Sequence, residues 1–160
     1  MTLDIGPGRN FQPHSDKPIL RLDKRMDIQP HVVADARDIP FRSNTFSTVY
    51  ASHILEHFRM DEAGWILKEW WRVVAPGGEL QVFVPNLEWV AMQIMHGICD
   101  EFVTNALFGR QEYDLDVHRS GYTPDSLAAL IRPLNPEYTI RTWRNSICLY
   151  ARKPEWRLHQ

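Results

Sequence analysis

Thr2-Leu3-Asp4-Ile5, followed at once by Gly6-Pro7-Gly8, is the stretch that decides the fold: an apolar run carrying one carboxylate, stopped by a glycine turn. The run predicts a short strand, and the glycines allow a tight turn and close approach of the backbone to a ligand. Ile19-Leu20-Arg21-Leu22 is the next such run, and it ends on Asp23. A carboxylate at the end of a second strand can accept both hydroxyls of a ribose. Val32-Val33-Ala34 predicts a third, buried strand and Thr48-Val49-Tyr50-Ala51 a fourth, each too short for a helix.

Between Asp61 and Ala75 the apolar residues Ala63, Ile66, Leu67, Trp70, Val73 and Val74 fall on one helical face, and Pro76-Gly77-Gly78 is expected to stop that helix. Leu80 to Val84 follows as a fifth strand. Strands alternating with helical segments imply βα units around a mostly parallel sheet, a three-layer α/β/α architecture. Leu87, Val90, Ile94, Met95, Ile98 and Phe102 then predict one long helix capped by Asn86. Residues 103 to 122 are polar and less regular, until Thr123 caps a helix that has Pro124 at its first position. Tyr138–Trp143 and Ile147–Ala151 read as an antiparallel pair at the sheet edge, and the tail after Pro154 as irregular.

With 160 residues and 44% hydrophobic composition, the chain 1–160 is expected to form a single domain around one core. A formal net charge of −2 gives no global attraction to phosphate backbones, so nucleic acid is disfavoured as a partner. Arg132, Arg141, Arg144, Arg152, Lys153 and Arg157 make the end of the chain locally basic, but no stacking aromatics accompany them in a nucleic-acid motif. Cys99 and Cys148 are far apart and suit a reducing compartment. No secretory leader pattern and no apolar run near the ~20 residues of a membrane span occur, so a cytoplasmic protein is expected. Oligomeric state is open.

A glycine turn after a first strand also occurs in dinucleotide-binding oxidoreductases, where a helix N-terminus must hold the pyrophosphate. Here only the ten residues Arg9 to Pro18 lie between Gly8 and the second strand, and Pro13 and Pro18 interrupt them. Asn10 also stands where a third glycine is expected. The first crossover helix is therefore expected to be reduced, and a phosphate site is poorly supplied.

Four segments in order carry a resemblance: Leu3 to Gly8; Ala34-Asp35-Ala36-Arg37-Asp38-Ile39-Pro40-Phe41; Ala51-Ser52-His53-Ile54-Leu55-Glu56-His57-Phe58; and Trp71-Arg72-Val73-Val74-Ala75-Pro76-Gly77-Gly78. The chain resembles the class I S-adenosylmethionine-dependent methyltransferases, in particular the small type 11-like domain, across most of residues 3 to 90. Leu107 to Tyr122 is similar to small members associated with sugar or polysaccharide synthesis. The resemblance implies a Rossmann-like fold, S-adenosylmethionine as cofactor and a small-molecule or saccharide-related acceptor. It implies Gly6 and Gly8 beneath the cofactor, Asp4 toward its methionine end and Asp23 on the ribose. Asp35 would then accept from the adenine amino group, Ala36 would offer its N–H to the ring, and Ser52 its carbonyl to the methionine ammonium. The other reading is a non-catalytic, methyltransferase-like binding protein, because a fold alone does not establish turnover.

Methyl transfer needs alignment and, for a protonated acceptor, a base, for which histidine is suited near neutral pH. His53, just past the fourth strand, and His118, in the irregular segment, are the two catalytic candidates; His14, His31, His96 and His159 lack motif context. His53 to His57 also fits H-x-x-E-H, a zinc-peptidase pattern. It follows a strand and lacks a third ligand in sequence, so no metal is expected there. Helices preceding the first strand, which often cover such sites, are absent from the sequence, and Asn135-Pro136 replaces a usual glycine turn. The segment 87–122 is the expected cover over the acceptor.

Overall fold

Aliphatic residues at alternating positions build the sheet, as the computed structural model, which describes residues 1–8, 16 and 18–155, makes plain. On strands β5 (Val74–Pro85) and β7 (Ser146–Arg152), Leu80, Val82, Val84, Ile147, Leu149 and Ala151 are fully buried, while the residues between them on Gln81–Phe83 and Cys148–Tyr150 are half-exposed. This period of two turns one face to the core. The remaining strands are β1 (Thr2–Ile5), β2 (Ile19–Asp23), β3 (Val32–Val33), β4 (Phe46–Ser52) and β6 (Glu137–Trp143), in the spatial order β3-β2-β1-β4-β5-β7-β6. Pairing is parallel from β3 to β5, and β7 runs antiparallel to both of its neighbours, as the sequence predicts. The strand order reverses at β1, which has β2 on one side and β4 on the other, and a crevice opens at the strand C-termini beside such a switch point.

Helix α1 (Met60–Val73) buries the predicted face, Ala63, Ile66, Leu67, Trp70 and Val73, against the sheet and against the later helix α4 (Pro124–Ile131). It ends three residues before Pro76, and Val74 is already extended. The carbonyls that a helix end leaves unpaired are taken from outside. Asn44 and Thr45 donate their backbone N–H groups to Arg72 and Val73, each at 2.9 Å, and Lys153 Nζ donates to the Trp71 and Val74 carbonyls at 3.0 and 2.8 Å. In α4 the Thr123 hydroxyl accepts from Ser126 N–H at 3.1 Å, with proline at the first position, as expected.

Two expectations change. The long helix from Leu87 is two helices, α2 (Leu87–Met95) and α3 (Glu101–Phe108). Gly97 at φ +76° breaks the run, and Asp100 starts a new helix by accepting from Val103 N–H at 2.9 Å. Val90 and Val103 are the buried residues of these helices; Met95, Ile98 and Phe102 are exposed. The third strand is a two-residue edge strand whose Val33 is 53% exposed. The reduced first crossover and the tail from Trp156 fall outside the described residues, so among those described the helical layer on the sheet is α1 and α4 on one face.

Trp70, fully buried, donates Nε1–H to the Ala36 carbonyl at 2.8 Å and so ties α1 to the loop after β3. Trp70→Phe strands that carbonyl, and we expect a loss of about 1–3 kcal/mol, read as a lower urea midpoint with unchanged slope. An unchanged midpoint would show that water replaces the indole.

Candidate active site

A cavity of about 1120 Å³ opens over the strand ends, lined by Gly6, Gly8, Asp23, Asp35, Ala36 and Ser52 among others. Six of the seven residues expected to bind the cofactor thus share one wall. Gly6 sits at φ +63°, where a Cβ would collide with the Ile54 side chain, and its N–H donates to the Leu22 carbonyl at 2.8 Å. Position 6 therefore admits no side chain, and there the backbone itself forms the floor.

The seventh residue, Asp4, lies beneath that floor, 1% exposed, between Arg21 and Tyr50 in the sheet. Its Oδ2 has no hydrogen-bond partner among the described residues. Burial pushes its carboxyl up to about 7; Arg21 opposes this and Asp23 adds to it. A buried carboxylate with an orphan oxygen, below the bare backbone at Gly6, fits a cationic ligand above it. Asp23 Oδ1 accepts from Arg25 N–H at 2.8 Å. Asp35 is already engaged: Arg37 donates to both of its oxygens, at 2.9 and 2.8 Å, and this hydrogen bonding holds the carboxyl down at about 2 despite burial. Any adenine contact at Asp35 is shared with that ion pair.

At the other end of the cavity, His53 leaves β4 at φ +53° and donates Nδ1–H to Glu56 Oε1 at 3.1 Å. Glu56 is fully buried, and its Oε2 is unpartnered among the described residues. Burial disfavours both charges, yet the mutual hydrogen bond and attraction prevail, holding His53 above and Glu56 below their ordinary values. The segment from Val117 to Tyr122 is fastened across this turn. Arg119 and Ser120 donate their N–H groups to the Glu56 carbonyl at 2.8 and 3.1 Å. His118 Nε2 thereby comes to 3.9 Å from Glu56 Oε1, and the His118 ring to 5.0 Å from that of His57. Burial pushes His118 below the ordinary histidine value, so its ring is held neutral.

The fold therefore unites both candidate bases around Glu56, with His57 and His118 supplying a carboxylate-and-imidazole cluster that the linear motif did not show. Tyr113 lines the cavity beneath Arg25, whose guanidinium lies 4.3 Å from its ring centre. Tyr122, by contrast, is a core residue, fully buried. His31 accepts from Arg21 N–H and His96 donates to the Met92 carbonyl, both away from the cavity. His14 and His159 lie outside the described residues. Among those described, no helix is long and apolar enough to cross a membrane.

A family model described as a methyltransferase domain matches residues 14–82. No curated protein sequence matches the chain. Among solved structures, a SAM-dependent methyltransferase from Archaeoglobus fulgidus superposes with a TM-score of 0.70 at 13% identity, covering 95% of this chain and 85% of that one. One from Methanosarcina mazei gives 0.65 at 16% identity, with 97% and 92% covered. Another, from Aquifex aeolicus, gives 0.56 at 13%, with 94% and 80% covered. At these identities the likeness establishes the fold. Together with the family match over residues 14–82, the sheet order shows that the chain has the fold of the S-adenosylmethionine-dependent methyltransferases it superposes on.

Asp4 carries a pH signature of the ligand-free protein. Its folded value lies above its unfolded one, so its contribution to stability is complete below pH ~4 and is lost as pH rises through about 7. Asp4→Asn removes that loss: its melting temperature should gain on the parent's progressively between about pH 4 and 7 and level off above. A difference independent of pH would show that Asp4 is ionised throughout.

Proposed function

We propose that the protein transfers the methyl group of S-adenosylmethionine to a small-molecule or saccharide-related acceptor. The observation that supports this most is the continuity of one cavity from the strand ends to the insertion, where Phe102, Ala106, Tyr113, Leu115, His118 and Arg119 line it. Within the segment 87–122, the part offered as cover is α3 and the loop after it. A mixed wall of apolar side chains and a few directed polar groups suits a small polar acceptor. When bound, the cofactor supplies an electrophilic methyl group on a sulfonium.

The residues divide the work. Asp4, Gly6, Gly8 and Ser52 form the methionine end, and Asp23, Asp35 and Ala36 hold the ribose and adenine. His53 and His118, both lining the cavity, are the imidazoles in place to take an acceptor's proton. Glu56 is a positioning residue for His53 through the Nδ1 hydrogen bond. A reducing, cytoplasmic setting suits the free thiols Cys99 and Cys148.

Calorimetric titration with S-adenosylmethionine, followed by detection of S-adenosylhomocysteine against pooled small molecules and saccharides, tests the proposal. Binding without turnover on any pool would favour the non-catalytic reading. Asp23→Ala should weaken cofactor binding by roughly 10- to 100-fold, the range set by losing a charged hydrogen-bond partner. Unchanged affinity in a folded variant removes Asp23 from the site. Tyr113→Phe and His118→Ala should lower turnover or raise the acceptor's KM with cofactor affinity unaltered; the reverse pattern would place the acceptor elsewhere.

A further inference from the structure

We infer that His57, His118 and Glu56 form a site for a divalent transition-metal ion of the zinc type, open toward the acceptor end of the cavity. One ligand atom from each of the three side chains lies within 4.8 Å of the others. A zinc-type ion bonds such atoms at about 2.0–2.2 Å in a tetrahedral arrangement, which spaces them by about 3.3 Å. Side-chain rotation closes the remaining gap.

The hydrogen-bond pattern points the same way. His57 Nδ1 lies 3.2 Å from the Val117 carbonyl and His118 Nδ1 lies 3.1 Å from the Ala106 carbonyl. A carbonyl oxygen only accepts, so both rings carry their proton on Nδ1, and in the neutral form both present a lone pair at Nε2. A ring fixed through one nitrogen by a carbonyl, with the other free, is the arrangement that orients metal-bound histidines. Glu56 adds an independent sign. It is fully buried, one oxygen is satisfied by His53, and the other has no partner among the described residues. Buried carboxylate oxygens are paired as a rule, and the carboxyl group whose Oε1 lies 3.9 Å from His118 Nε2 has capacity left for a cation held by the two imidazoles.

The donor set chooses the metal. Two imidazoles and a carboxylate suit zinc and its first-row neighbours, whereas magnesium and calcium prefer all-oxygen shells. Of the linear pattern's two histidines only His57 takes part, since His53 is turned onto Glu56 and His118 comes from a segment about sixty residues away. His57 and His118 both line the cavity, which leaves the open coordination position facing the acceptor. The ion's role rests on the methyl-transfer reading: it would lower the pKa of an acceptor hydroxyl placed there. In that role His118 is a ligand and His53 remains the base.

Binding is measurable without turnover, which separates this inference from the methyl-transfer reading. Chelator-treated protein is titrated with Co(II), followed by visible absorption, and with Zn(II) by calorimetry. One equivalent is expected to bind, with Co(II) bands of a low-coordinate nitrogen and oxygen site. His57→Ala and His118→Asn, the latter retaining a donor for the Ala106 carbonyl, should each weaken binding by more than the roughly 10–100-fold typical of outer-shell changes. Glu56→Gln should do likewise, while His96→Ala leaves binding as it was. Circular dichroism and retained S-adenosylmethionine affinity confirm that each variant is folded. Absence of stoichiometric binding, or binding undiminished in His118→Asn, would overturn the inference as adventitious histidine binding only.

Discussion

The ionised carboxylate of Glu56, buried in the turn after β4, is the interaction on which the placing of the segment 87–122 depends. Burying a charge costs several kcal/mol unless it is paired and hydrogen-bonded. His53 repays part of that cost at 3.1 Å, and the backbone carbonyl of the same residue accepts from Arg119 and Ser120. The turn thus holds the end of the insertion in place. Hydrophobic burial adds Tyr122, fully buried in the core at the end of the segment, while on α2 and α3 only Val90 and Val103 are buried. An insertion held by a few polar bonds can tilt without disturbing the core, which is the property a cover over a binding site requires.

The sheet imposes the second constraint. Because β1 lies at the strand-order reversal, its end is flanked on both sides, and Asp4 is buried just before Gly6, where the floor is bare backbone. The cavity therefore has a buried carboxylate with an orphan oxygen beyond each end, Asp4 below the strand ends and Glu56 below the insertion. Their surroundings differ. Burial, only partly opposed by Arg21, brings Asp4 to about 7, while the His53 contact keeps Glu56 ionised. The first responds to a cationic ligand by losing its proton, and the second holds its charge whether or not the cavity is filled.

Local chemistry made much of this legible. β-Branched runs placed the strands, the periodic face from Ala63 to Val73 placed α1, and Thr123-Pro124 placed the start of α4. The strand-end positions of Gly6, Asp23, Asp35 and Ser52 were enough to gather these residues around one cavity. The break at Gly97 was missed because apolar spacing continues through it, although Asp100-Glu101 is itself a helix-start signal. The early end of α1 was hidden because its terminal carbonyls are satisfied by Asn44, Thr45 and Lys153, partners that no local rule supplies. The Asp35–Arg37 pair lay within two residues in plain sight, yet a carboxylate two positions from an arginine pairs with it only in particular backbone geometries.

The approach of His118 to Glu56 lies beyond any sequence pattern, because it depends on where the insertion lands rather than on spacing. That landing changes what the motif at His53–His57 means. As a linear pattern it offers two histidines one turn apart on a helix, but His53 at φ +53° cannot continue a helix and turns onto Glu56 instead. The turn that follows is a short 3₁₀ segment from Leu55 to His57, which places the Glu56 carboxylate inward and the His57 ring at the cavity wall. A buried charge then sits with one histidine on each flank of the motif and a third imported from the insertion. The same left-handed residue that removes the zinc-peptidase geometry thus creates the pocket of donors that the insertion completes.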